Sequence, residues 1–195
     1  VTALPEHPHE SNGLLTITDY AALGETEPGY TELQEGRLVM SPSPAPEHNE
    51  AALALAMQLY PQVPADLRVV PDIDVDLELA GPDEPGFVRR PDLVVVRREG
   101  RDRVRKEGGL LRASDVVIVV EIVSPGSRRT DYVIKHGEYA DAGIPHYWIV
   151  DLADPLSLVA CHLAGELGYQ DAPAATGTYT TTEPFPARLD LTTLS

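Results

Sequence analysis

Residues 116–123, VVIVVEIV, constrain this chain more than any other stretch. The run opens on five consecutive β-branched residues, which suit a pleated surface, and it is far too short to span a membrane. It reads as a buried strand. Glu121 interrupts it. A carboxylate in such a place is unfavourable unless something pairs with it. Either Glu121 lies harmlessly past the end of the strand or it is held there for chemistry.

The neighbouring segments supply a sheet for this strand. PDLVVVRR, residues 91–98, is a second short apolar strand, and PHYWIVDL, residues 145–152, is a third. Between the last two lie an SPGSRR turn and a helix over about 130–142. The order strand, loop, strand, helix, strand predicts an α/β fold with a mixed sheet and flanking helices. YTELQEGRLVMSP, residues 30–42, adds a hairpin turning at Glu35 and Gly36. The strand pairs in 157–170 and 178–191 add further β structure near the C-terminal end. TITDYAALGE, residues 16–25, has helical spacing. EHNEAALALAMQLYPQ, residues 47–62, reads as a helix that buries Ala, Leu and Met. In RVVPDIDVDLEL, residues 68–79, apolar residues alternate with four acids. This predicts one strand with a solvated acidic face, because no histidine or carbonyl-rich loop joins the acids to make a cation site. Residues 1–13 read as a loose arm and 14–195 as one domain.

Charge is unevenly spread. The chain carries −16 over 195 residues, yet twelve of its fifteen basic residues lie between positions 89 and 135. As a whole it repels nucleic acid; its middle does not. The Arg-rich stretch RREGRDRVRK, residues 97–106, reads as a loop, either merely solvated or facing phosphate. No apolar run reaches the length of a membrane span. The beginning of the sequence lacks the pattern of a secretory signal. Cys161 is the only cysteine, which excludes an internal disulfide and a Cys-rich zinc site. A cytoplasmic protein is the expectation.

Three residues form the candidate constellation. Asp92 starts one apolar strand and Glu121 interrupts another. If the two strands pair, both carboxylates reach one end of the sheet, where a divalent cation relieves their repulsion. Lys135 lies on the following helix, four residues from both Asp131 and Tyr139, so the three share a face. The chain has only two lysines against thirteen arginines, and a compact ammonium does work a guanidinium does not. The bland alternative makes Asp92 a turn cap, pairs Glu121 with Arg128 or Arg129, and leaves Lys135 in surface pairs with Asp131 or Glu138.

RRPDLVVV, VVEIVSPGSRRTDYVIKHGEYADAGIPHYWIVD and YTELQEGRLVMSPSPAPEH resemble the Uma-two family, a branch of the PD-(D/E)XK nuclease superfamily. The likeness runs from about residue 16 to 191 and is densest from 91 to 151. It implies a restriction-endonuclease-like core, with Asp92 and Glu121 as the two acids of the motif. The lysine expected two positions after Glu121 is Val123 here, which points to Lys135 on the next helix. The resemblance implies magnesium or manganese as cofactor, held by Asp92, Glu121 and the Ile122 carbonyl. Glu32, Asp131 and Tyr139 are then supporting residues. Arg89, Arg90, Arg128 and Arg129 are expected to contact nucleic acid, DNA before RNA. A homodimer that hydrolyses phosphodiesters, with no membrane contact, completes the expectation. The rival reading is a catalytically silent nuclease-fold module for binding or assembly. Ser124 is expected to close a turn. His7 and His9 are a fortuitous pair. His48, beside the Pro-rich loop, is expected either to approach the site or to cap or pack its helix. His136, His146 and His162 lack metal-ligand spacing.

Overall fold

The computed structural model describes residues 13–24, 31–40 and 43–194. All but one residue of the expected N-terminal arm, with His7 and His9, therefore lies outside the described residues. Helix α1 (Ile17–Leu23) begins at Thr16, whose hydroxyl accepts from the Asp19 N–H while the Asp19 carboxylate accepts from the Thr16 N–H. Strands β1 (Thr31–Gln34) and β2 (Arg37–Met40) form the expected hairpin. Its turn residues Glu35 and Gly36 have φ of 49° and 74°, the left-handed pair that matches strand twist. Helix α2 (Pro46–Leu59) starts on a proline, whose missing N–H would have no helical partner there anyway.

Next come β3 (Leu67–Pro71), β4 (Val75–Asp76), β5 (Val88–Arg89), β6 (Leu93–Arg97), α3 (Arg98–Glu107), β7 (Leu111–Arg112) and β8 (Val116–Val123). A π-helical segment, Thr130–Lys135, then runs directly into α4 (His136–Asp141). The chain closes with β9 (His146–Asp151), β10 (Ser157–Leu163), β11 (Tyr169–Asp171), β12 (Ala175–Thr176), β13 (Thr178–Thr181) and β14 (Ala187–Asp190).

Strand β8 sits inside the largest sheet, whose order is β11-β10-β9-β8-β6-β3 with β12 on β10. It runs parallel to β9 and antiparallel to β6. Ile118, Val120 and Ile122 pack on one face, against Leu55 and Leu59 of α2 and the β13–β14 hairpin. Val119 and Val123 pack on the other, against Tyr139 of α4 and against Val75 and Leu111. Burial on both faces is why the run is continuous rather than alternating. A second sheet, β2-β1-β5-β4-β7, lays the hairpin beside the first. No helix among the described residues is long and apolar enough to cross a membrane.

Three local expectations change. The single strand expected over 68–79 breaks at Asp72, whose φ is 49°. The chain leaves the large sheet there and joins the second as β4; Val75 and Leu77 stay buried while Arg90 holds Asp72 and Asp74. Met57 of α2 points outward, and Ala51, Leu55 and Leu59 make the buried face. The Arg-rich stretch is helix α3, not a loop. Its arginines, lysine and glutamates are good helix formers, and Gly100 is there for a packing reason. A Cβ on Gly100 would lie 2.3 Å from Asp115 Cγ and 2.6 Å from Asp115 Cβ. Asp115 in turn accepts from Arg103 at 2.6 Å and from the Arg112 N–H at 3.0 Å. In an open helix, Gly100→Ala would stabilise by about 1 kcal/mol; here it is expected to destabilise by about 1–3 kcal/mol through overpacking. Urea unfolding measures the sign directly. Helix α3 also follows the end of β6 that is opposite to Asp92. Its basic residues are therefore not beside the candidate site.

Candidate active site

Asp92 and Glu121 meet because β6 and β8 pair. Leu93 lies opposite Val120 in the register, and one step further the Asp92 Oδ2 accepts the Ile122 N–H at 2.6 Å. Asp92 thus closes the end of the strand pair. Glu121 falls on the face shared by Val119 and Val123, toward α4, and is only 3% exposed. It receives two donors on one oxygen: Lys135 Nζ at 2.8 Å and the Tyr139 hydroxyl at 2.6 Å, both to Oε1. The other oxygen has no hydrogen-bond partner among the described residues.

The helical face is as spaced. Asp131, Lys135 and Tyr139 are all buried, and the wider π winding of the first six residues keeps positions four apart nearly in line. Lys135 does not form surface pairs. Its ammonium lies between Glu121 and Glu32, 3.2 Å from Glu32 Oε1. Glu32 comes from the edge hairpin, on β1, and is fixed from two further sides: the Arg90 N–H donates to Oε1 at 3.1 Å and Arg89 Nη1 to Oε2 at 2.7 Å. Asp131 accepts from the Ser127 hydroxyl at 2.5 Å. Ser124 closes the turn as expected, its N–H donating to Ser127 Oγ at 2.9 Å.

The cleft holds more negative than positive charge. Burial pushes the Glu121 carboxyl up to about 8, against the pull of Lys135, and Asp92, Asp131 and Glu32 push it further. Burial alone would lower Lys135, but Glu121 and Glu32 outweigh it and hold the ammonium charged, above its ordinary range. Burial also raises Glu32, yet Lys135 and Arg89 prevail and keep it ionised below its usual value. Asp131 is raised, chiefly by burial. An oxygen-only donor set, with one Glu121 oxygen uncommitted and excess carboxylate around it, fits a hard divalent cation. Asp92, Glu121 and the Ile122 carbonyl are the groups that could hold it.

Of the two alternatives the sequence left for His48, the structure favours approach to the site. Its Nε2 is 2.8 Å from Asp92 Oδ1, and the hydrogen bond to Asp92 holds the imidazole above its ordinary range despite burial. It neither caps nor merely packs. No linear spacing ties residue 48 to residue 92; they meet only once α2 lies across the sheet. His136 stands outside this cleft, paired with Asp171 Oδ1 at 2.8 Å and near the buried Cys161.

The four candidate arginines separate. Arg89 is 3% exposed and spans Glu32 and Glu138, the latter through Nε at 2.6 Å and Nη2 at 2.7 Å. It is an internal strut and offers no surface to nucleic acid. Arg90 pairs with Asp72 and Asp74 at the rim. Arg128 pairs with Asp151, not Glu121, and lies over the Tyr132 ring. Arg129 is exposed.

Glu32, His48, Arg89, Arg90, Asp92, Glu121, Asp131 and Lys135 line one cleft of about 620 Å³, whereas Arg128 and Arg129 lie outside its lining. Comparison with known proteins agrees with this architecture. The crystal structure of a putative nuclease belonging to DUF820 from Anabaena variabilis is similar, with a TM-score of 0.66, over 92% of this chain and 97% of that one, at 17% identity. At that identity the likeness speaks for the fold. No curated protein matches the chain. The family model Uma2, described as "Putative restriction endonuclease", matches residues 17–193. That span takes in both large sheets and every residue of the cleft, and the chain belongs to the Uma2 family.

Proposed function

We propose that the cleft hydrolyses phosphodiester bonds of nucleic acid, DNA in the first instance, with magnesium or manganese as cofactor. The observation that carries this reading is the convergence on Glu121. A buried carboxylate shares one oxygen with an ammonium and a phenol, keeps the other uncommitted, and stands beside Asp92. A purely structural ion pair has no need of the surrounding excess of acids. Asp92, Glu121 and the Ile122 carbonyl would hold the cation. When bound it supplies a water of lowered pKa and neutralises charge on the scissile phosphate. Lys135 orients the attacking water or meets the charge that develops on the phosphoryl oxygens. Glu32, Asp131 and Tyr139 fix the position of Lys135 and Glu121. His48 orients Asp92 from the cleft side. The water gives up one proton to solvent as its oxygen bonds to phosphorus, the bond to the departing sugar oxygen breaks on the opposite side, and that oxygen leaves with a proton from solvent. Arg129, exposed beside the cleft-lining Thr130, would meet a neighbouring phosphate. Arg90 and Arg128 would first have to leave Asp72 and Asp151.

Supercoiled, linear and single-stranded DNA, and RNA, are incubated with the purified protein and magnesium, manganese or chelator. Cleavage is expected with either metal and none with chelator, and re-adding metal restores it. No cleavage over a wide range of enzyme concentration would favour the silent binding module.

A further inference from the structure

Resting on the nuclease reading, we infer that the substrate of this cleft is an unpaired nucleotide in a single strand, not a duplex tracked along its backbone. Two features of the cleft point there.

The first is charge. Among the described residues, the basic side chains lining the cleft are Arg89, Arg90, Lys135 and His48, and each is already on carboxylates: Glu32 and Glu138, Asp72 and Asp74, Glu121 and Glu32, and Asp92 respectively. The long Arg-rich helix is at the far end of β6. A duplex presents two rows of phosphates, and proteins that hold it this way neutralise many of them with Lys and Arg. This cleft can offer a bound cation, and the exposed Arg129 stands next in the chain to Thr130 of its lining, enough for one or two phosphates.

The second is the wall above the acids. Val39 and Met40 of β2, Leu53 of α2 and Ile134 of the π-helical segment line the same cleft. Met40 is 57% exposed and Leu53 62%. A base paired within a duplex keeps its faces stacked and has nothing to gain from such a wall. An unpaired base has two apolar faces, and packing one against side chains is favourable whatever its sequence. The acidic floor and apolar wall thus sort the two ends of a nucleotide, phosphate toward the cation and base toward Met40 and Leu53. A second copy of the chain could also cover an apolar wall. It would have to carry its own −16 charge up to the rim of an acidic cleft, which disfavours it.

The test uses one oligonucleotide sequence, single-stranded and as a blunt duplex, with wild type, Leu53→Glu and the surface control Leu167→Glu. Leu167 is 80% exposed in the short turn before β11, away from the cleft. Steady-state cleavage with magnesium is expected to favour the single strand at least about tenfold in kcat/KM. Leu53→Glu should raise KM for it about tenfold, the scale of one lost base contact, with kcat little changed; Leu167→Glu should match wild type. Binding measured against salt should fall with a slope of magnitude about 2 or less, as for one or two neutralised phosphates. Equal or better cleavage of the duplex would overturn the inference and leave the nuclease reading standing. So would an unchanged KM in Leu53→Glu, or a change confined to its oligomeric state by sedimentation. Cleavage of neither strand would remove the nuclease reading and the inference with it.

Discussion

Lys135→Met is expected to slow the proposed metal-dependent phosphodiester hydrolysis by about 10²–10³-fold, the scale of removing one preorganised charge from a transition state, while the chain stays folded. The second half matters because Lys135 is buried between two carboxylates. Leaving a buried charge unpaired is strongly destabilising, about 3–5 kcal/mol, unless the group takes up a proton instead. Glu121 is ready to do so. Its carboxyl is already pushed up to about 8 by burial with the lysine present, and losing the ammonium raises it further. Tyr139 still holds Oε1, and Glu32 keeps Arg89 and the Arg90 N–H. The sign of the pH dependence follows. A group whose folded-state pKa is raised favours the fold at pH below its unfolded value, and that stability is lost as pH rises through the folded value. The deficit of Lys135→Met relative to wild type should therefore be small near pH 5 and grow toward pH 9, as melts across that range would show. Lys135→Arg keeps the charge but not the compact ammonium, and should rescue stability more than activity. Activity within about threefold of wild type in Lys135→Met would remove Lys135 from the chemistry.

That prediction could be framed from the sequence because the relevant contacts leave a local trace. A strand buried on both faces has to be apolar at every position, so one carboxylate in VVIVVEIV is conspicuous. Asp92 becomes its neighbour by the pairing of two recognisable strands, and Lys135 by spacing along one helix. Other parts of the site leave no such trace. His48 and Asp92 are 44 residues apart, and Glu32 and Arg89 are 57 apart. Each meeting depends on how a helix or hairpin lies over the sheet, which no periodicity encodes. Arg89 and Arg90 look interchangeable in the sequence, yet successive residues of an extended chain point to opposite sides. One enters the interior between two glutamates, and the other stays at the rim. The break at Asp72 was hidden by an alternation that continues across it, since Val75, now in a different sheet, and Leu77 just beyond it remain buried. The Arg-rich stretch 97–106 reads as a loop because the Asp115 that needs the space at Gly100 lies fifteen residues further on.

Arg89→Met should show the largest loss of stability among these side chains, about 3–5 kcal/mol. The guanidinium makes three charged hydrogen bonds, one to Glu32 and two to Glu138, of 2.6–2.7 Å. Its side chain is 3% exposed and that of Glu32 5%, against 14% for Glu138, so water can replace little of what is removed, least of all at Glu32. Methionine fills the volume of the stem, which confines the effect to lost charge and hydrogen bonds. For a domain of this size, such a loss lowers Tm by about 10 °C. Arg89→Lys should recover only part of it, because one ammonium cannot reproduce the planar fork that reaches both glutamates. Glu32→Gln in the Arg89→Met background should lose less than the two single changes together, since each removes a charge that the other leaves stranded. A loss under about 1 kcal/mol, with simple additivity, would place the guanidinium in water and break the strut. If the strut stands, Arg89 acts on the site through Glu32. Cleavage by Arg89→Met at a temperature where it is still folded should then fall far less than in Lys135→Met, because the ammonium remains and Glu32 loses only one of its three supports.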